Sequence, residues 1–383
     1  MKICILTPRY PFPENGGDVL RINGIAKYLK AKGHKLILVS YINQQNTVND
    51  TDKLIYDEIV TVKFNRITSI IYSFIFFLFG KTIQCGYYYS IKYKKVLCKA
   101  IKKYKPDLYI SHLVRMEPFI KKCGIEQKSI IEMTDALSKT YNLSSKTKSF
   151  SIKKFVYKLE RKPITKIEQK IIKRYPKVVL VSESDITYLG NNKSLKYHTN
   201  GIDIYKNDSQ YNKNKICFVG NMRTIQNQDA VLFFINNIFP LIKKTSSEAE
   251  FHIVGAEPPD NIKKIANGKD IFVTGFVDSV EKYIENACML VAPVNIAAGI
   301  QNKVLIGMAC KIPVILTSLI AQPIKGLKDG DNCFIEDDVE KFAEKCVILM
   351  NDTKLRETIS IRGQQFVEQN YSWNKTLEGY ENI

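Results

Sequence analysis

At 383 residues the chain exceeds one ordinary domain, and 45% hydrophobic with 25% charged side chains is a globular composition with ample core, which excludes a disordered or fibrous protein. The formal charge of +19 is uneven: residues 1–210 hold 38 Lys and Arg against 17 Asp and Glu, residues 211–383 hold 19 against 21, and residues 91–180 alone hold 24 against 7. The first half is therefore a cation, and two readings stay open: a Lys-rich, well-solvated surface, or attraction to an anionic membrane; no zinc finger, RNP pattern or glycine-aromatic platform accompanies the charge, so a nucleic-acid partner is not expected. Nine scattered cysteines and four histidines show no metal-ligand spacing, and no signal-peptide pattern precedes the first apolar run. The expectation is a cytoplasmic, reducing setting with neither a disulfide framework nor a metal.

Lys2 to Thr7 reads as a buried strand, running into a proline-stiffened loop that ends in Gly16 and Gly17. A helix comes next, with Asp18 in its first turn and apolar Leu20, Ile22, Ile25 and Leu29, and then a strand over Lys35 to Ser40. In this βαβ opening the glycines let backbone approach a ligand at a helix amino terminus, where unpaired N–H groups and the dipole favour an anion. A full GxGxxG is missing, so no dinucleotide fingerprint is read. Ile67 to Phe79 is uncharged and aromatic, but 13 residues fall short of the roughly 20 that a spanning helix needs. Two readings stay open for it: a core helix, or an amphipathic element dipping into a bilayer beside the neighbouring basic run.

Strands over Asp107 to Ser111 and Ser129 to Met133 place His112, Arg115 and Asp135 just beyond their carboxyl ends, on the rim where parallel sheets bind ligands. His112 either serves that rim or merely pairs with backbone, whereas Asp135 needs a partner that a cleft would supply. A long polar helix over Ile152 to Arg174, a strand from Lys177 to Ser182 and the Asn200-Gly201 turn close this half.

The second half restarts at Lys215 to Val219, followed by Gly220-Asn221-Met222-Arg223 and a helix; Glu250 to Val254 leads to Gly255, and Ile271 to Thr274 to Gly275-Phe276-Val277. A buried strand then ends at Ala292-Pro293, Asn295 to Gly299 is a loop, Asn302 to Cys310 a helix that stops before Pro313, and Pro313 to Thr317 a strand. This βαβ unit supplies one wall of any nucleotide site. A final helix is read from Tyr371 onward, with Trp373 at its start. The alternation in both halves predicts an α/β protein of two doubly wound domains.

With these motifs in hand, the chain resembles the retaining GT-B glycosyltransferases of family 4, in the branch of bacterial surface-polysaccharide loci such as those for O-antigen and capsule. The resemblance rests on the Gly16-Gly17 loop, Thr199 to Asp203, Phe218 to Met222, Gly275 to Val277, and Gly299 to Leu305. It implies two facing Rossmann-like domains, 1–200 for the acceptor and 201–370 for a nucleotide-sugar, with a helix over 371–383 crossing back to the first. It further implies a metal-independent hexosyltransferase, peripheral on the inner membrane face, that uses a UDP- or GDP-sugar as substrate and needs no cofactor. The acceptor is a polyprenyl-diphosphate-linked or other saccharide. Gly275, Phe276 and Val277 would meet the base, Gly220, Asn221 and Arg223 the diphosphate, and Ala298, Gly299, Ile300 and Lys303 the donor's phosphates and sugar. Gly16 and Gly17 would cover the diphosphate from the other domain, and Asp135 and His112 would orient the reacting sugar. The family's two glutamates fall on Ala298 and Ile306, so binding leans on backbone amides, a helix amino terminus and Lys303. That departure motivates a second reading, a catalytically impaired relative that binds saccharide or partners an active enzyme.

Overall fold

Seven strands form the first sheet: β1 (Lys2–Thr7), β2 (Lys35–Ile42), β3 (Glu58–Lys63), β4 (Leu108–His112), β5 (Ser129–Thr134), β6 (Lys177–Leu180) and β7 (Leu195–Tyr197). Six more form the second: β8 (Asn212–Val219), β9 (Glu250–Val254), β10 (Ile271–Gly275), β11 (Ala287–Ala292), β12 (Val314–Leu316) and β13 (Phe334–Ile335). The computed structural model describes residues 1–14, 16–43, 46–145, 152–296 and 300–383, and the side chains of 143–145 and 152–155 are not included. The strands are ordered β3-β2-β1-β4-β5-β6-β7 and β10-β9-β8-β11-β12-β13, and all neighbours pair in parallel. Parallel sheets carry helices on both faces, which is why central strands such as β1 and β11 are apolar and buried almost throughout rather than alternating.

The chain forms two units, Met1–Gly201 with Thr376–Ile383, and Ile202–Lys375, each with its own apolar core. In each sheet the order reverses once, between β1 and β4 and between β8 and β11. Such switch points open a crevice at the carboxyl ends of the strands.

Helices α1 (Gly17–Ala31), α2 (Arg66–Leu78), α3 (Ile83–Tyr88), α4 (Ile91–Tyr104), α5 (Glu117–Cys123), α6 (Leu137–Ser145) and α7 (Ile152–Arg174) belong to the first unit. Asn65 caps α2 by accepting from the amides of Ile67 and Thr68, and of its 13 residues Ser69 alone is fully buried. Ile67, Ile70, Ile71, Phe74, Phe77 and Leu78 are exposed, Phe74 by 61%. The open choice over this segment resolves as a surface helix with an uncovered apolar face.

The expected final helix is shorter than read: Trp373–Thr376 is a single turn, and a separate helix, Thr353–Tyr371, ends before it. Side chains, rather than helical hydrogen bonds, hold residues 377–383 in place. Lys177 Nζ donates to the carbonyls of Gly379 and Tyr380 at 2.8 Å and of Asn382 at 3.2 Å. Tyr380, fully buried, donates through its hydroxyl to Glu132 Oε2 at 2.9 Å. The same carboxylate pairs with Arg21 Nη2 at 3.2 Å, with both side chains wholly enclosed, and Arg21 Nη1 donates to the Thr199 carbonyl at 2.7 Å. Arg21, Glu132 and Tyr380 thus tie α1, β5 and residues 376–383 together.

Candidate functional site

In the first unit the exits of β1, β4, β5 and β6 converge on a cavity of about 650 Å3, lined among others by Arg9, Asp18, Tyr88, Arg115, Thr134 and Asp135. Two non-glycine residues on its wall lie in the left-handed region, Leu113 at φ 67° and Thr134 at φ 67°. Each turns the chain sharply at the end of a sheet strand, in a conformation that costs on the order of 1 kcal/mol or more and concentrates at functional sites. At Thr134 the turn coincides with a register shift between β5 and β6.

Gly17 lines this cavity at the start of α1, and Gly16, at φ 106°, sends its carbonyl to the amides of Val19 and Leu20 at 3.1 Å. A Cβ on Gly16 would lie 2.9 Å from Arg9 Nη2, the movable end of a long side chain, so it is the positive φ rather than space that calls for glycine here. Arg9 grips Asp18 with two donors, Nε at 2.9 Å and Nη2. The acidic side chain in the first turn of α1 is therefore already matched by a cation.

Asp135 lines the cavity and is exposed at its mouth, yet the surrounding walls raise its carboxyl pKa above the usual range, and Asp185 raises it further. Asp185 is itself engaged by Lys139 at 2.7 Å and by the Ala136 amide at 2.9 Å. His112 does not join Asp135 at the surface. It is the last residue of β4, 2% exposed, with neither ring nitrogen bonded among the described residues, and burial pushes its pKa down to about 3. A neutral imidazole beneath the floor can orient a neighbour but carries no charge at physiological pH.

The second unit builds a different site at its switch point. β8 exits at Gly220, and Gly255, at the exit of β9 with φ 151°, sits so close that a Cβ there would meet the Gly220 carbonyl oxygen at 1.9 Å. No other residue fits Gly255. The Asn227 amide nitrogen donates to the Asn221 carbonyl at 2.8 Å, and its Oδ1 accepts from Lys303 Nζ. Lys303 lies in the first turn of the helix Asn302–Ala309, 7% exposed, with its ammonium 4.5 Å from the centre of the Phe218 ring. No carboxylate pairs with it among the described residues, and burial lowers its pKa to about 8. With an amide and a ring for neighbours, the Lys303 ammonium has no opposite charge to offset its burial among the described residues.

Around it, Asn221 Oδ1 accepts from the Arg223 amide at 2.8 Å, while the Arg223 guanidinium is 79% exposed and 3.7 Å from Glu257. Gly275 ends β10 at φ 70° and leaves Phe276 73% exposed, whereas Val277 packs on the core. Ile300 and Ile306 are half-buried against the same core. Ala298 and Gly299 lie outside the described residues. Sequence alone does not reveal Asn227 as the link between the Gly220 loop and Lys303, because 76 residues separate the partners. Nor does it distinguish Arg115 from any other residue beyond a strand end. Among the described residues no three His, Cys, Asp or Glu side chains group as a metal would require.

Residues 213–352 match the family model of glycosyl transferases group 1. Over 98% of both chains, the protein is 19% identical to an uncharacterized 44.6 kDa protein in the cps region of Klebsiella pneumoniae. It is 24% identical to the capsular polysaccharide biosynthesis glycosyltransferase CapM of Staphylococcus aureus, over 53% of this chain and 56% of that one. The crystal structure of Anabaena HepE in complex with UDP and glucose superposes at TM-score 0.61 with 13% identity, covering 100% of each chain. Two Rossmann-like units with parallel sheets and this likeness make the fold GT-B.

Proposed function

We propose that the protein is a glycosyltransferase of surface-polysaccharide synthesis, moving a hexose from a UDP- or GDP-sugar to a saccharide carried on a polyprenyl diphosphate. The observation that carries this reading is Lys303, a buried cation without a counter-ion among the described residues, at the switch point of the sheet that matches the group 1 family model. A diphosphate supplies the missing charge, with the Asn302–Ala309 helix amino terminus and the Gly220 backbone completing its cradle. Exposed Phe276 offers a ring to the base, and Arg223 stands outside as a second cation.

Departure of the sugar leaves negative charge on the diphosphate, and Lys303 with the backbone amides stabilises that charge as it grows, without a metal. The reaction is retaining: the acceptor hydroxyl attacks the face that the diphosphate leaves, and a phosphate oxygen takes its proton. The first unit's cleft holds the acceptor, with Asp135 on its wall and neutral His112 beneath as the orienting groups. Capsule-related relatives support a polysaccharide product.

The uncovered apolar face of α2 supports a place at an anionic membrane surface. Beside it, a cavity of about 200 Å3 is rimmed by Lys81, Lys122, Lys166 and Lys170, cations suited to lipid phosphates. No helix among the described residues is long and apolar enough to cross a membrane.

The test is calorimetric titration with UDP and GDP, then transfer from their hexoses to membrane extract with and without EDTA. Nucleotide affinity and EDTA-resistant transfer are expected. Absence of nucleotide affinity sinks the reading, and affinity without transfer from any donor favours the impaired relative that Ile306 suggests.

A further inference from the structure

The first-unit cleft holds two arginines whose charges are met differently. Arg9 is matched by Asp18. Arg115 has no carboxylate partner among the described residues, yet its orientation is fixed on two sides. Its Nε donates to Gln84 Oε1 at 3.0 Å, and its guanidinium lies 5.4 Å from the centre of the Tyr88 ring. Gln84 is held in turn, donating through Nε2 to the Tyr141 hydroxyl at 2.8 Å, and the Tyr141 ring stacks on Tyr157 at 4.4 Å. Buried arginines elsewhere in this protein look different. Arg21 bonds a carbonyl and a carboxylate, and Arg356 donates to the Leu349 carbonyl at 2.7 Å.

A guanidinium pinned through Nε and one face keeps its two terminal nitrogens for a ligand. Their spacing matches two oxygens of a phosphate or carboxylate, which they bind with parallel charge-assisted hydrogen bonds. Arg115 and Tyr88 both line the cavity with Asp135. We propose that Arg115 is the anion-binding residue of the acceptor subsite, and that the acceptor carries a phosphate or carboxylate close to the hydroxyl that is glycosylated. The inference rests on the acceptor reading of this cleft. The anion has two possible sources, the diphosphate of a lipid carrier or an acidic sugar, and one experiment separates them.

Equilibrium binding of geranyl diphosphate, geraniol, methyl glucuronide and methyl glucoside is measured on the full chain and on its Arg115→Gln and Arg115→Lys variants. At least one charged probe is expected to bind tenfold or more above its neutral counterpart, with the pair that shows the preference naming the source. Arg115→Gln abolishes that preference, and Arg115→Lys, which keeps the charge without the fork, retains part of it. A preference that survives Arg115→Gln, or no preference in the unaltered chain, overturns the proposal. UDP affinity in the same samples reports the second unit independently, so its absence refutes the transferase reading while the charged-probe comparison still decides the role of Arg115.

Discussion

The two switch points place charge in opposite ways. In the first unit three ion pairs lie near the strand ends, Arg9 with Asp18, Lys139 with Asp185, and Arg21 with Glu132, and Arg115 is the exception, held by Gln84 and the Tyr88 ring. In the second, Lys303 is buried against an amide and a ring with no opposite charge near it among the described residues. A paired buried charge holds a fold in one arrangement, whereas an unpaired one costs folding energy that a ligand can offset. The first crevice thus holds most of its charge in internal pairs, whereas on the proposed reading a nucleotide supplies the charge that the second lacks.

The contrast fails if removing charge has the same effect on both sides. Glu132→Gln leaves Arg21 buried without a counter-charge and weakens the Tyr380 hydrogen bond, so urea unfolding should show a loss of roughly 3–5 kcal/mol. Lys303→Met should do the reverse, leaving stability unchanged or raised while lowering nucleotide affinity by about a hundredfold in calorimetry, the scale of a charge-assisted contact. Equal destabilisation by both substitutions would mean that Lys303 is structural.

Dependence on pH tests the same difference. The pKa of Lys303 is depressed to about 8 in the folded state against an ordinary 10.5, so the unfolded chain holds the extra proton between those values. Stability of the free protein therefore gains from Lys303 as pH rises from about 8 to 10.5, while nucleotide affinity falls over the same window. Lys177, also lowered to about 8, adds its own stability slope, so the comparison is made between the unaltered chain and Lys303→Met. Next in size, Asp135→Asn should lower the transfer rate by about tenfold or more while leaving nucleotide affinity intact, because its carboxylate lies in the first unit alone. Smallest in stability is Phe74→Ser, within about 0.5 kcal/mol of the unaltered protein because the ring is already exposed. Its effect should appear instead as lost co-sedimentation with anionic vesicles.

Elements buried on both faces were legible in the sequence. β1 and β9 coincide with their apolar runs; α7, largely exposed, was legible instead from its polar helical pattern. Strand β3 was not, because it is the edge of its sheet: its sequence, EIVTVK, has just one fully buried position, Val62, and presents no continuous apolar run. Of the candidate site, the places of Gly17, Gly220, Gly275 and Lys303 in the fold were readable because small residues at strand exits and helix starts, and a cation in a first helical turn, follow local rules. Partnerships were not readable. That Asp18 is matched by Arg9, that Asn227 joins the Gly220 loop to Lys303, and that His112 lies below the floor while Asp135 reaches the surface all depend on contacts between segments apart in the chain.

Tyr380 and the Lys177 clamp also bear on how the protein is made. The first unit needs residues 376–383 to fill its core beside Arg21 and Glu132, and a ribosome reaches them only after all of residues 202–375 has been synthesised. The unit begun first is therefore finished last, and through that interval Glu132 and Arg21 wait with a vacant slot where the tyrosine ring belongs.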